Sequence, residues 1–81
     1  MNIKSTEFFI SSDLSLIATA SLFFPILDID KTNPRKAEFV FKRTQKLDDL
    51  IDRYWKKELL VEPRQYFDQL KSLKARLYAN E

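Results

Sequence analysis

Residues 37–42 read Ala37-Glu38-Phe39-Val40-Phe41-Lys42, a run of aromatic and β-branched side chains that is typical of a β-strand. The six residues before it, 31–36, are rich in turn formers, and residues 26–30 show a short apolar and polar alternation. These segments together predict a β-hairpin. The Phe-Val-Phe centre of the run suits a strand with apolar side chains on both faces, so we expect it to be the central strand of the sheet.

Towards the N-terminus, residues 7–11 have the composition of another strand. Asp13 follows two serines and is a good N-cap, so a helix is predicted over 13–24 and is ended by Pro25. After Asp13 this helix has no charged residue. We therefore expect other elements to cover it on most sides.

Towards the C-terminus, two amphipathic helices are predicted. Thr44 can cap the first, and Pro63 suits the first turn of the second. Each helix has an apolar stripe at helical spacing, which predicts the face that packs on the core. The stripes are Leu47, Leu50, Ile51, Tyr54, Trp55 and Leu59 in the first helix, and Tyr66, Phe67, Leu70, Leu73, Leu77 and Tyr78 in the second.

The predicted order β-α-β-β-α-α favours an α+β fold. A strand, a crossover helix and a second strand normally run parallel, and the third strand can insert between them, antiparallel to both. This arrangement gives a three-stranded mixed sheet of order 1-3-2 with the helices packed on it. We expect a single small domain over 6–79, a flexible N-terminus over 1–5 and a short tail at 80–81.

The 81 residues include no Gly, no Cys and no His. Without Cys or His, the chain lacks the thiol nucleophiles, the imidazole bases and the zinc ligands that many enzymes use. Without Gly, it cannot build a P-loop or a dinucleotide-binding fingerprint, because both need backbone without a Cβ close to phosphate. We therefore predict a binding module that is not an enzyme and that uses no metal, no cofactor and no small-molecule substrate.

The chain combines Ser12-Asp13-Leu14 before an apolar helix, Phe39-Val40-Phe41 in a strand, Leu47-x-x-Leu50-Ile51 in a helix ending near Tyr54, Val61 before a turn, and Leu73-Lys74-x-x-Leu77-Tyr78. Over residues 6–78 this pattern resembles a small domain family of unknown function found in bacterial and phage genomes. The resemblance implies a mobile-element origin, and it carries over no catalytic or binding residue.

Charge is unevenly distributed along the chain, although the formal net charge is only +2. Residues 1–30 carry one Lys against four carboxylates, a net charge of −3, and the remainder carries +5. Cations of this kind keep a hairpin soluble, and they also suit contact with nucleic-acid phosphates. We take the cations between 31 and 46 as a candidate basic ridge. They are Lys31, Arg35, Lys36, Lys42, Arg43 and Lys46.

Four aromatic residues are candidates for contact with a partner. Phe67 and Tyr78 lie at the edge of the apolar stripe of the last helix, on the flank that also carries Lys71 and Lys74. The centre of that stripe is formed by Tyr66, Leu70, Leu73 and Leu77. Tyr54 and Trp55 end the stripe of the preceding helix. Trp55 is either the largest side chain of the core or the anchor of an interface, and the helical spacing favours the core.

Two acidic groups have the spacing of cation ligands. Asp48, Asp49 and Asp52 lie on one helix, where Asp49 can pair with Arg53 and Asp52 with Lys56. A solvated helix face is therefore the favoured interpretation of these three residues. Residues 28 and 30 are a second pair of aspartates, for which a polar strand face running into a turn is favoured over a cation site.

The longest uncharged run, from Leu14 to Leu27, is shorter than the roughly 20 residues that cross a bilayer. It also makes a poor signal peptide, because Glu7 and Asp13 precede it. We expect a cytoplasmic protein that does not contact a membrane.

Two functions agree with these features. The first is a binding module of phage, plasmid or mobile-element type that contacts nucleic-acid phosphates through the basic ridge. The alternative is a protein–protein interaction module, either a homodimer or a small inhibitor of a host protein, that uses the sheet edge or the Tyr54 and Trp55 region. The salt dependence of binding distinguishes the two functions, because the affinity of phosphate contacts falls steeply as the salt concentration rises.

Overall fold

The strands and helices occur in the predicted order in the computed structural model, which describes residues 7–33 and 35–78. The α+β order β-α-β-β-α-α is therefore confirmed. The predicted flexible segment 1–5 and the tail 80–81 lie outside the described residues. The strands are β1 (Phe8–Ser11), β2 (Asp28–Asp30) and β3 (Glu38–Lys42), and the helices are α1 (Leu14–Ser21), α2 (Gln45–Trp55) and α3 (Pro63–Tyr78).

Strand β3 lies at the centre of the sheet, as its sequence predicts. It pairs antiparallel with β1, where Phe41 is opposite Phe9, and antiparallel with β2, where Phe39 is opposite Ile29. The order is β1-β3-β2, so β1 and β2 run in the same direction on either side of β3. The predicted order 1-3-2 is thus confirmed, with both hydrogen-bonded pairs antiparallel.

The core lies between one face of the sheet and the three helices. Phe39 and Phe41 are 1% and 0% exposed, because side chains alternate along β3 and these two point towards the helices. The same alternation places Val40 on the opposite face, between the exposed Glu38 and Lys42. The helices contribute Ile17, Ala18, Ala20, Leu47, Leu50 and Leu73 to the buried core.

Helix α1 is the central helix, since it contacts both α2 and α3. The Asp13 carboxylate caps it by accepting hydrogen bonds from the backbone N–H groups of Ser15 and Leu16, at 3.1 and 3.3 Å. Five consecutive residues, Leu16–Ala20, are buried. The prediction of a helix covered on most sides is therefore confirmed.

Helix α1 ends earlier than the predicted limit at residue 24. The last regular helical residue is Ser21, and the N–H of Leu22 then bonds to the carbonyl of Thr19 in a tighter turn. The reason is that Phe24 precedes Pro25, whose ring disfavours helical backbone at the residue before it. The helix unwinds before that position and turns the chain towards β2.

The other helices begin where the sequence predicts. The Thr44 hydroxyl oxygen accepts a hydrogen bond from the N–H of Leu47 at 3.1 Å, which caps α2. At α3, the Glu62 carboxylate accepts from the N–H of Gln65 at 2.7 Å, and Pro63 takes the first helical position.

Helix α2 ends in a left-handed residue that is not glycine. Lys57 has φ of 62°, its N–H bonds to the carbonyl of Tyr54 at 3.1 Å, and the N–H of Glu58 bonds to the carbonyl of Arg53 at 2.9 Å. These two bonds form a Schellman motif, in which glycine is usual because a Cβ disfavours positive φ. Lys57 therefore carries backbone strain.

We expect Lys57→Gly to raise the free energy of unfolding by about 0.5–1 kcal/mol, because glycine removes the left-handed penalty but loses more chain entropy on folding. Urea unfolding followed by circular dichroism measures the change. The control is Lys56→Gly. Lys56 has right-handed backbone, with φ of −81°, so glycine at this position should lower the free energy of unfolding. Equal or lower stability of Lys57→Gly would contradict the strain.

Candidate nucleic-acid interface

Strand β3 divides the six predicted basic residues into two groups. Lys36 precedes this strand and Lys42 ends it, so the extended chain holds them about 20 Å apart. We call Lys31, Arg35 and Lys36 the loop cluster, and Lys42, Arg43 and Lys46 the strand-end cluster. The six cations therefore do not form one continuous ridge along the hairpin.

The loop cluster lies at a cleft of about 390 Å³, which we call the basic cleft. Its lining has three cations and no carboxylate among the described residues. The polar groups of Ser12 and Asn33 and the ring of Tyr78 complete the polar and aromatic part of the surface. An anion in this cleft would meet several hydrogen-bond donors and, among the described lining residues, no carboxylate.

The loop that carries these cations is held by its own side chains. The Asp30 carboxylate accepts from the N–H of Thr32, and the Asn33 side-chain oxygen accepts from the N–H of Arg35, both at 2.9 Å. The carbonyl of Asn33 also accepts from the N–H of Lys36 at 3.1 Å. Such local bonds define turns, so the loop's own residues set the backbone positions of Arg35 and Lys36.

Lys31 joins the loop to helix α3. Its Nζ donates a hydrogen bond to the backbone carbonyl of Arg76, in the last turn of the helix, at 2.9 Å. A cation is favourable at this end of a helix, where the carbonyl dipoles are negative. The contact brings the loop cluster and the C-terminal end of α3 onto one surface.

The strand-end cluster is more nearly balanced by acidic groups. Arg43 Nε is paired with Asp48 Oδ1 at 3.1 Å. Lys46 lies in a shallow groove whose lining also includes Asp49 and Arg53. Lys42 is exposed and is opposite Phe8 on the face of the sheet that the helices do not cover. In this cluster a carboxylate neutralises Arg43 and another lies near Lys46, whereas the described lining of the basic cleft has none.

Helix α3 extends the basic cleft along its exposed side. Phe67, Lys71, Lys74 and Tyr78 fall within an arc of about 60° on the helix, and all four are exposed. Phe67 and Tyr78 are 56% and 70% exposed, and Lys71 Nζ lies 5.4 Å from the centroid of the Phe67 ring. We call these four residues the α3 stripe. It ends at Tyr78, which also lines the basic cleft.

Tyr54 and Trp55 lie elsewhere, at the end of α2. The Tyr54 hydroxyl hydrogen-bonds to the Ser15 hydroxyl at 2.7 Å, and the two aromatic rings meet edge to face at 5.0 Å. Trp55 is 61% exposed, so the preference for a core position is wrong. The reason is angular, because Trp55 is about 80° around the helix from the buried Leu47, whereas Tyr54 is within about 20° of it.

The three aspartates of α2 have partners from the protein itself. Asp48 pairs with Arg43, and the predicted pair of Asp52 with Lys56 is confirmed at 3.0 Å. Asp49 accepts from the Gln45 side-chain amide at 2.9 Å, in place of the predicted pair with Arg53. Within 7–33 and 35–78, no group of three His, Cys, Asp or Glu side chains could hold a metal ion.

A pocket on the uncovered face of the sheet has the opposite sign of charge from the basic cleft. This shallow pocket of about 340 Å³ combines apolar side chains with three carboxylates. Phosphates would be repelled from it. The pocket residues are Phe8, Ile10, Leu27, Val40, Asp28, Asp30 and Glu38.

The sequence does not single out Ser12 and Asn33, although the structure places both at the basic cleft. The register explains the position of Ser12, because Ser11 is opposite Phe39 and the end of β1 therefore lies beside the loop that leads into β3. The sequence feature that could have identified these two residues is their position in turn segments next to strand ends.

A comparison with protein families gives a match over residues 7–79 to a domain of unknown function, DUF5659. The chain belongs to the DUF5659 family. No curated protein and no solved structure is similar enough to match this DUF5659 domain. Among its described residues, no helix combines the length and the apolar character needed to cross a lipid bilayer.

Proposed function

We propose that this domain is a small, non-catalytic binding module that contacts nucleic-acid phosphates through the basic cleft. The observation that carries the proposal is the convergence of Lys31, Arg35 and Lys36 on one cleft with no carboxylate in its described lining. Each phosphate that a lysine or arginine neutralises releases condensed counterions, which is the main source of affinity in such contacts.

The form of the loop supports this proposal. Arg35 and Lys36 are exposed and belong to a turn that Asn33 holds with a side-chain and a backbone hydrogen bond. A loop whose backbone is already ordered loses less entropy on binding than a mobile loop. The absence of Cys and His from the sequence supports the non-catalytic part of the proposal.

The cellular setting is part of the same proposal. The resemblance to a domain family of bacterial and phage genomes supports an accessory protein of phage, plasmid or mobile-element type. Such a protein would meet DNA or RNA in the cytoplasm, and it would need no metal or cofactor to bind phosphates.

The test compares two double variants that each remove two positive charges. Arg35→Gln with Lys36→Gln changes the basic cleft, and Lys42→Gln with Lys46→Gln changes the strand-end cluster. Fluorescence anisotropy with labelled DNA and RNA should give a slope of log affinity against log salt that falls by about 1.4–1.8 for the cleft variant. The loss should be similar across base sequences, because phosphate contacts carry no sequence information.

The control variant should keep the affinity of the unmodified protein. Its salt slope should differ by no more than about 0.7–0.9, the value for one phosphate contact. Equal losses in both variants would overturn the assignment to the basic cleft, because they would indicate attraction by total charge alone. If the unmodified protein binds no DNA or RNA at low salt and high micromolar concentration, the proposed function is wrong.

A protein–protein interaction module is the second candidate, either as a homodimer or as a small inhibitor of a host protein. The observation that favours it is the exposure of Trp55 at 61%, with the Tyr54 ring packed edge-on against it. Exposed tryptophans are frequent anchors of protein interfaces. An interface of this kind should respond weakly to salt, so the same salt titration separates the two functions.

A further inference from the structure

The α3 stripe and the basic cleft are parts of one surface. Tyr78 belongs to both, since it ends the stripe and lines the cleft. The hydrogen bond from Lys31 Nζ to the Arg76 carbonyl holds the loop against the same turn of the helix. A chain that enters the cleft beside Tyr78 can therefore continue along α3 past Lys74 and Lys71.

The stripe places two cations between two aromatic rings along one side of α3. Phe67 and Tyr78 are eleven positions apart, about 16 Å along the helix, with Lys71 and Lys74 between them. The ammonium group of Lys71 is already 5.4 Å from the centre of the Phe67 ring. A base could lie near each ring while the intervening phosphates face the two lysines.

The exposure of the Phe67 and Tyr78 rings favours a single strand over a duplex as the ligand. In a duplex the faces of the bases are stacked on one another, so a protein ring cannot reach them without unstacking the helix. In a single strand these faces are available, and stacking on protein aromatic rings is tolerant of sequence. Phe67 and Tyr78 have more than half of their surface exposed, as a stacking platform requires.

We propose that the α3 stripe and the basic cleft form one track for single-stranded nucleic acid, with bases stacked on Phe67 and Tyr78 and phosphates at Lys71, Lys74 and Lys36. This inference rests on the proposed function and deepens it, because it names single-stranded DNA or RNA as the ligand. The core side of α3 is left undisturbed, since the buried Leu73 points about 120° away from Phe67.

The first experiment measures the affinity of a labelled oligothymidylate and of a mixed-sequence single strand, and compares them with a duplex of the same mixed sequence. The single strands should bind at least tenfold more tightly at equal salt. The second experiment replaces the rings. Phe67→Leu and Tyr78→Leu should each weaken single-strand binding by about 5-fold to 150-fold, which corresponds to the loss of one stacked base.

Trp55→Leu is the matched control, because it removes an equally exposed ring that lies outside the track. Its single-strand affinity should match that of the unmodified protein, and circular dichroism should give the same spectrum for all three variants. Leucine is a good helix former and keeps an apolar side chain, so the helix should persist in Phe67→Leu and Tyr78→Leu.

Three results would overturn the track. These are duplex binding as tight as single-strand binding, ring variants that bind as well as the unmodified protein, and a loss in Trp55→Leu equal to that in Phe67→Leu. If binding still depends on Arg35 and Lys36 while the rings have no effect, the proposed function stands and only the track is wrong. If the unmodified protein binds no nucleic acid at all, both are wrong.

Discussion

The Phe41→Ala variant should lose about 3–5 kcal/mol of unfolding free energy relative to the unmodified protein. Phe41 is 0% exposed, lies on the central strand and packs near the ring of Phe9, with centroids 6.4 Å apart. Truncation to Ala removes its transfer free energy and leaves a cavity that the sheet and helices cannot fill completely. Domains of this size have only about 5–15 kcal/mol of total stability, so the variant should be close to unfolding at room temperature.

Urea unfolding followed by far-ultraviolet circular dichroism is the suitable measurement. The fluorescence of Trp55 is a poor reporter of the core, because its side chain is 61% exposed. Val40→Ala is the control, since Val40 is the neighbour of Phe41 on β3 but lies on the uncovered face of the sheet. Its loss should be about 1 kcal/mol. Equal losses in the two variants would contradict the assignment of faces on β3.

The second large effect is expected at Leu73, where Leu73→Ala should lower the unfolding free energy by about 2–5 kcal/mol. Leu73 is 0% exposed and is the fully buried residue of α3, which packs against α1. The exposed Tyr78 and the Arg76 carbonyl that Lys31 contacts depend on this packing for their position. Weaker docking of α3 should therefore also lower affinity for single strands.

The matched control is Lys74→Ala, at the exposed neighbour of Leu73. Alanine is a strong helix former, so the stability of Lys74→Ala should equal or slightly exceed that of the unmodified protein. Its salt slope for nucleic acid should nevertheless fall by about 0.7–0.9, the value for one phosphate contact. A stable Leu73→Ala variant would contradict the packing of α3, and an unchanged slope in Lys74→Ala would remove Lys74 from the track.

Much of the fold follows from local patterns in the sequence. Asp13 and Thr44 mark helix starts because their side-chain oxygens can bond the first N–H groups of the helix, which is a local interaction. Pro63 marks the third start for a different local reason, because its fixed φ suits the first helical position and the N–H that it lacks is not needed there. The run Phe39-Val40-Phe41 predicts a central strand because successive side chains point to opposite faces, and both faces are therefore apolar. Errors occur at element ends, as at Ser21, where Pro25 acts from four positions downstream.

Less of the candidate site than of the fold could be predicted from the sequence. The sequence identifies the loop cluster as basic and the two aromatic residues of α3 as candidates for partner contact, but nothing in their spacing indicates that they meet. Their separation along the chain is large, since Lys31 and Arg76 are 45 positions apart and are joined by a single hydrogen bond. The division of the basic residues into two clusters likewise depends on the length of β3 and on its position in the sheet.

The sequence by itself determined the order of the elements, the capped starts of the helices, the central position of residues 38–42 and the uneven distribution of charge. Each of these depends on neighbours within a few positions, or on side-chain periodicity. Only the tertiary structure decided that Trp55 is exposed and that Tyr78 lies beside Lys31 at the basic cleft. The physical reason is that these features depend on how α1 holds the other helices over the sheet, and that packing combines residues distant in the chain.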